Sequence, residues 1–171
     1  MIDVIWHKTD GAIRHAIPAV TTVLLVFLAA TPLRLPSYGA LAPVLPLVAI
    51  YYWAIHRPDL MPFTLVFAVG LLQDLVLGAP LGLHALVFLI VHWTIVAQRR
   101  FLVGRSFFVL WWGFAMIAGV AAALEWATFS AYHATFMPME TAALRALLTI
   151  ALFPAIAWVF IQVHRLVLRS A

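Results

Sequence analysis

The chain of 171 residues contains no cysteine, which excludes disulfide bonds, thiolate metal sites and cysteine catalysis. Charged residues are also scarce, at 9% of the chain against about 25% in a typical soluble domain. The sequence carries no HExxH pair, no glycine-rich phosphate loop, no dinucleotide fingerprint and no serine in a nucleophile elbow. These absences predict a protein that is not an enzyme and that needs no cofactor or metal ion.

Hydrophobic residues are abundant instead, at 66% of the chain, and the mean hydropathy is +1.09. A soluble domain is about 45–50% apolar, so this composition indicates an integral membrane protein. The formal net charge of +4 would suggest a nucleic-acid partner in a soluble protein. Here the basic residues are scattered between apolar runs, so we expect them to set membrane topology and predict no nucleic-acid binding.

A lipid core about 30 Å thick requires about 20 apolar residues in a helix. The sequence contains six apolar stretches close to this length, and they run continuously rather than alternating as barrel strands do. We therefore predict an all-α integral membrane protein, a bundle of six transmembrane helices forming a single domain over residues 1–171. Residues 1–15 are predicted to form a short interfacial segment. The predicted spans are 16–33, 40–55, 61–77, 81–97, 107–131 and 144–167.

The distribution of lysine and arginine predicts the orientation of these spans. With both termini in the cytoplasm, eight basic residues fall on the inner side and two on the outer side, a clear positive-inside bias. The inner residues are Lys8, Arg14, Arg57, Arg99, Arg100, Arg105, Arg165 and Arg169, and the outer residues are Arg34 and Arg145.

The stretch GLLQDLVLGAPLGLHAL, residues 70–86, places an acid and a histidine inside apolar runs. Gly78 is predicted to cap the third span in a left-handed conformation, and Pro80 to start the fourth. Asp74 and His84 then lie about 6 Å and 5 Å below the turn, so they can meet across the hairpin. Ionisable groups in spans often mark functional sites. The interpretation we favour is structural: Asp74 satisfies His84, Arg145 or the positive N-terminus of the fourth helix.

Other polar and small residues have comparable alternatives. Glu125 is predicted near the same outer side, where a structural role is also favoured, and Gln73 is predicted to hydrogen-bond between helices. The arginines of the inner loop are interpreted as topology anchors, with contact to a cytoplasmic partner or anionic lipid as the alternative. A stripe of small residues along the fifth span favours packing within the bundle, with a partner's single helix as the alternative. The loop arginines are Arg99, Arg100 and Arg105, and the stripe is Ala115, Gly119, Ala123 and Ala127.

The segment GLLQDLVLGAPLGLHALVFLIVHW, followed by QRR, resembles the central signature of the MreD family, a small multispanning component of the bacterial rod-shape machinery. The likeness covers about residues 70 to 100, and size and span count agree with it. The residues that carry it are Gly70, Asp74, Gly78, Pro80, Leu81, Gly82 and His84.

The resemblance implies a non-enzymatic scaffold in the bacterial inner membrane. Such proteins bind the bitopic protein MreC and work with MreB, RodA, RodZ and a penicillin-binding transpeptidase during lateral peptidoglycan synthesis. The resemblance also implies a helical arrangement similar to the substrate-binding subunits of energy-coupling-factor transporters. The alternative function is therefore a membrane binder or transporter subunit for a small molecule or a lipid-linked precursor.

Overall fold

A computed structural model describes the backbone of residues 2–31, 42–133 and 139–168, and the side chains of 16–31, 42–132 and 139–163. The regular secondary structure of these residues is six α-helices and one 3-10 turn, Pro58–Leu60. The all-α prediction is thereby confirmed for this part of the chain. The helices are α1 (Ile2–Ala30), α2 (Leu45–His56), α3 (Phe63–Leu77), α4 (Leu83–Leu102), α5 (Phe107–His133) and α6 (Met139–Leu168).

Among the residues whose side chains the structure describes, three helices are long and apolar enough to cross a membrane: α4, α5 and α6. The apolar part of α1 within the described side chains, 16–30, is shorter, as are α2 and α3. The 12 residues of α2 give a rod of about 18 Å, which is less than the apolar thickness of a bilayer. Length and composition therefore support a membrane protein with three clear spans, and six spans remain a prediction.

The short helix α2 occupies the centre of the bundle. Every residue from Leu45 to Ile55 is buried, and the helix packs against α1, α4, α5 and α6. A helix that is apolar all round belongs in an interior, which explains this position. Pro46 stands in its first turn, where the missing N–H costs nothing, and the chain leaves the helix at Arg57, directly before Pro58.

The helices α3 and α4 form the antiparallel hairpin that the sequence predicts. The buried residues of α3 recur at the spacing of one helical face: Val66, Val69, Gly70, Gln73 and Asp74. This face packs on α4, whose buried residues include Ala85 and Phe88. The hairpin therefore buries both polar members of its signature, Asp74 and His84.

Helix boundaries differ from the apolar stretches by five residues or more in four places. Helix α1 begins at Ile2 rather than at residue 16, α2 begins at Leu45 rather than 40, α4 continues to Leu102 rather than 97, and α6 begins at Met139 rather than 144. Residues 42–44 are not helical, because Pro43 disfavours the helical conformation of the residue before it. Hydropathy marks only the apolar part of a helix, whereas backbone hydrogen bonding continues through polar residues at its ends. Residues 2–15 of the predicted interfacial segment are thus helical and continuous with the first span, and the side chains of 1–15 lie outside the described residues.

Two arginines mark opposite ends of the bundle. Arg99 of α4 donates from Nε to the carbonyl of Ile55 at 2.7 Å, and Arg145 of α6 donates from Nε to the carbonyl of Ala42 at 2.8 Å. These carbonyls flank the two ends of α2, so Arg99 and Arg145 lie on opposite sides, as the predicted topology requires. Arg34 and the side chains of Lys8, Arg14, Arg165 and Arg169 lie outside the described residues.

Candidate functional site

The Asp74 carboxylate is fully buried and accepts three hydrogen bonds from the start of α4. Its Oδ2 accepts from the Gly82 N–H at 2.8 Å. Its Oδ1 accepts from the His84 N–H at 3.0 Å and lies 2.7 Å from His84 Nδ1. Gly82 is the N-cap of α4 and has no side chain to perform that role, so an acid from the preceding helix caps α4 instead. A negative charge at this helix end is also favoured by the helix dipole.

The turn that makes this contact depends on two glycines. Gly78 ends α3 with φ of +65° and Gly82 precedes α4 with φ of +97°, and side-chain-bearing residues rarely adopt either value. The left-handed cap predicted at Gly78 is confirmed. Helix α4 begins at Leu83 rather than at Pro80, because Gly82 takes a left-handed conformation that ends the turn before the helix can start.

Beyond His84 the polar contacts continue into α5 and α6. His84 Nε2 lies 3.9 Å from Glu125 Oε1, and Glu125 Oε2 lies 3.4 Å from Arg145 Nη1. We call Asp74, His84, Glu125 and Arg145 the polar chain. Its members come from four successive helices, so it connects α3 to α6 at one end of the bundle. Arg145 is one of the partners predicted for Asp74 from the sequence, whereas in the structure Arg145 pairs with Glu125.

The same end of α6 holds the start of α2. Thr149 donates its hydroxyl to the Arg145 carbonyl at 2.8 Å and accepts the Val44 N–H at 3.0 Å. Sequence reasoning did not single out Thr149. The available signal was a hydroxyl placed one helical turn after Arg145 in an apolar helix, where few other polar groups can satisfy a buried N–H.

Three members of the polar chain, His84, Glu125 and Arg145, line a cavity of about 560 Å³ to which α2, α3, α4, α5 and α6 all contribute. Its wall is mostly apolar and includes several alanines, and its polar members are His84, Glu125, Arg145 and two threonines. Two buried atoms at this cavity make no hydrogen bond with any residue that the structure describes. They are His84 Nε2 and Glu125 Oε1. The cavity lining includes Val76, Leu77, Ala118, Ala122, Trp126 and Ala146.

Gln73 lies next to Asp74 and is also buried, at 1% exposure. The sequence predicts that it hydrogen-bonds to another helix. Its Oε1 has no hydrogen-bond partner among the residues that the structure describes. The predicted contact is therefore not made through this oxygen.

The small-residue stripe of α5 faces outward. Gly119, Ala123 and Ala127 are exposed and Ala115 is partly buried. A Cβ added at Gly119 would meet no atom within 4 Å. The interpretation favoured from sequence, packing within the bundle, is thus wrong for most of this stripe. The bundle instead buries the opposite face of α5, because α4 and α6 pack there.

The three loop arginines separate into two groups. Arg99 is partly buried and donates a hydrogen bond to the Ile55 carbonyl in the last turn of α2, a contact that is consistent with a structural role. Arg100 and Arg105 are exposed, and Nε of Arg105, in the turn after α4, lies 3.4 Å from the carbonyl of Phe101 in the last turn of that helix. Arg100 and Arg105 are therefore more accessible to a partner or an anionic lipid surface than Arg99 is.

Comparison with known proteins identifies a family for the chain. The family model described as rod shape-determining protein MreD matches residues 11–163. Neither the comparison with curated proteins nor the one with solved structures finds a match. The matched region contains the α3–α4 hairpin, the whole polar chain and the stripe of α5. The chain therefore belongs to the MreD family of rod shape-determining proteins.

Proposed function

We propose that this protein is a non-enzymatic scaffold of the bacterial elongation machinery, which binds the transmembrane helix of MreC on the outward face of α5. Through that contact it helps to couple MreB to lateral peptidoglycan synthesis by RodA and a penicillin-binding transpeptidase, with RodZ in the wider complex. Membership of the MreD family supports the role in rod-shape determination. The proposal needs no cofactor and no reaction.

The exposed stripe of α5 is the observation that carries this proposal. Only 17% of the most apolar stretch of α5 is buried inside the molecule, the lowest share among the three long helices α4, α5 and α6. Gly119, Ala123 and Ala127 form a shallow groove on that surface, beside the exposed side chains of Met116 and Val120. Small residues let a second backbone approach closely, and close packing is the main force between helices in lipid.

The polar chain supports the scaffold role by holding α5, the helix that carries the groove, against its neighbours. Asp74 joins α3 to α4, and the Glu125–Arg145 pair joins α5 to α6 at the same end. Helix α5 carries the groove on one face and Glu125 on another. Fixing Glu125 therefore fixes the direction in which the stripe points.

We further propose six spans in the inner membrane with both termini in the cytoplasm, which places Arg100 and Arg105 on the cytoplasmic side. Because the natural chain has no cysteine, a cysteine introduced at one position is the only thiol that a reagent can label, and its labelling shows on which side of the membrane that position lies. A membrane-impermeant thiol reagent applied to spheroplasts is expected to label Leu81→Cys, and to label Ser106→Cys only after permeabilisation. Labelling of Ser106→Cys in intact spheroplasts contradicts the orientation.

The partner groove is tested with neighbouring alanines on α5. Ala123 lies on the exposed stripe, whereas Ala122 lines the internal cavity. Ala123→Leu fills the groove and is expected to reduce recovery of MreC with the tagged protein at least fivefold, with rounded cells as the phenotype. Ala122→Leu makes the same change in volume and is expected to leave MreC recovery intact. Equal recovery with both variants contradicts the groove.

A further inference from the structure

The polar end of the cavity contains two buried atoms that face each other without bonding. His84 Nε2 and Glu125 Oε1 lie 3.9 Å apart, and neither makes a hydrogen bond within the described residues. The His84 side chain is only 4% exposed and lines the cavity together with Glu125. Leaving a buried polar atom without a partner costs stability, so an arrangement of this kind requires an explanation.

The protons of His84 follow from its other contacts. Both oxygens of Asp74 accept backbone N–H groups, so we assign a hydrogen to His84 Nδ1, which completes the hydrogen bonds of that carboxylate. Nε2 is then an acceptor in the neutral ring or a donor in the imidazolium. In neither state does it bond to Glu125 directly, because 3.9 Å exceeds the range of about 2.7–3.2 Å.

A hydroxyl group fits between these two atoms. One hydroxyl oxygen can lie about 2.8 Å from both atoms, donating its hydrogen to Glu125 Oε1 and accepting a hydrogen bond from His84 Nε2 where that nitrogen carries a hydrogen. A carboxylate or phosphate fits poorly, because it would face the negative Glu125 and has no hydrogen to donate. A primary ammonium group would meet Arg145, which pairs with Glu125 at 3.4 Å. Of these groups, an uncharged hydroxyl is the one that can serve both atoms.

The size and the apolar lining of the rest of the cavity indicate what kind of molecule would carry the hydroxyl group. Its volume of about 560 Å³ lies in the range of small-molecule pockets, about 300–1,000 Å³. Val76, Leu77 and alanines on α5 and α6 line it, and such a wall favours an alkyl or isoprenoid chain over a polar molecule. We infer that the cavity binds an amphipathic alcohol whose hydroxyl bridges His84 Nε2 and Glu125 Oε1. This inference does not depend on the partner groove.

The test compares an alcohol with its methyl ether. The full-length protein is placed in nanodiscs of phosphatidylcholine, which has no hydroxyl group, and binding of radiolabelled 1-decanol is measured against protein-free nanodiscs. A saturable component of one decanol per chain is expected. Unlabelled 1-methoxydecane should compete roughly tenfold more weakly than unlabelled decanol, because it cannot donate a hydrogen bond to Glu125.

Variants locate the binding and separate it from partner recognition. Ala122→Leu and, on the facing helix, Ala146→Leu should both abolish the saturable component, because each side chain fills the cavity. Ala123→Leu, on the outer face of α5, should retain it while losing MreC recovery. Lack of a saturable component in the natural protein, equal competition by the ether, or full binding in both cavity variants overturns the inference. None of these outcomes changes the expectation for the partner groove.

Discussion

Gly70 of α3 lies directly against Ala85 of α4. A Cβ at position 70 would stand 2.3 Å from the Ala85 Cα and 2.6 Å from its nitrogen, closer than side-chain atoms approach a backbone. The two helices therefore touch backbone to backbone at this point. Asp74 follows Gly70 by one helical turn and His84 immediately precedes Ala85, so this contact aligns the carboxylate with the first turn of α4.

Gly70→Ala is expected to force the hairpin apart and to destabilise the protein by about 2 kcal/mol or more, because neither backbone can yield easily. Thermal unfolding of the purified variant in detergent measures the effect. Gly119→Ala is the matched control, since a methyl group there meets nothing within 4 Å. If the two variants unfold at the same temperature, the close contact between α3 and α4 is wrong.

Asp74→Ala removes the acceptor of three hydrogen bonds and leaves the partly buried N–H of Gly82 and the buried donors of His84 unpaired. We expect a loss of about 3 kcal/mol, visible as a lower unfolding temperature and lower abundance in membranes. Asp74→Asn keeps one acceptor oxygen, so its unfolding temperature should lie between those of the natural protein and Asp74→Ala. Asp59→Ala, at an exposed aspartate in the turn before α3, makes the same change of charge and should leave stability unchanged.

Gly78→Ala places a side chain at φ of +65° and is expected to cost about 1 kcal/mol, because the left-handed region is strained for alanine. Gly78→Asn should cost less, since asparagine is tolerated at helix C-termini in this conformation. Unfolding temperatures of both variants provide the measurement. Space does not limit either variant, because nothing lies within 4 Å of an added Cβ. A larger loss for asparagine than for alanine contradicts this explanation.

Arg99→Ala removes the hydrogen bond to Ile55 and exposes the C-terminal end of the central helix α2. We expect a loss of stability of about 1 kcal/mol, since the arginine is only partly buried. Arg105→Ala should leave the unfolding temperature unchanged.

Complementation of an MreD-deficient strain tests whether Arg105 contacts a cytoplasmic partner or lipid. A loss of rod shape with Arg105→Ala at normal abundance indicates such a contact. Normal rods show that no contact of this residue is needed for rod shape.

Much of the hairpin follows from local sequence. Gly78 predicts its own conformation, and the short spacing between Asp74 and His84 across a tight turn predicts their contact. The contacts of the polar chain beyond His84 cannot be predicted from local sequence in this way. Glu125 and Arg145 belong to different helices, far from the hairpin in sequence, and Arg145 could equally have paired with Asp74 as far as depth in the membrane is concerned.

The amino-acid sequence was sufficient for the helical class, the membrane environment and the turn at Gly78, because apolar length and backbone conformation are local properties. The pairing of Glu125 with Arg145, the cavity beside His84 and the outward direction of the Gly119 stripe required the packed helices. In a protein that lies in lipid, both faces of a helix such as α5 are apolar. Periodicity therefore cannot tell its buried face from its exposed one, and only the positions of the neighbouring helices do so.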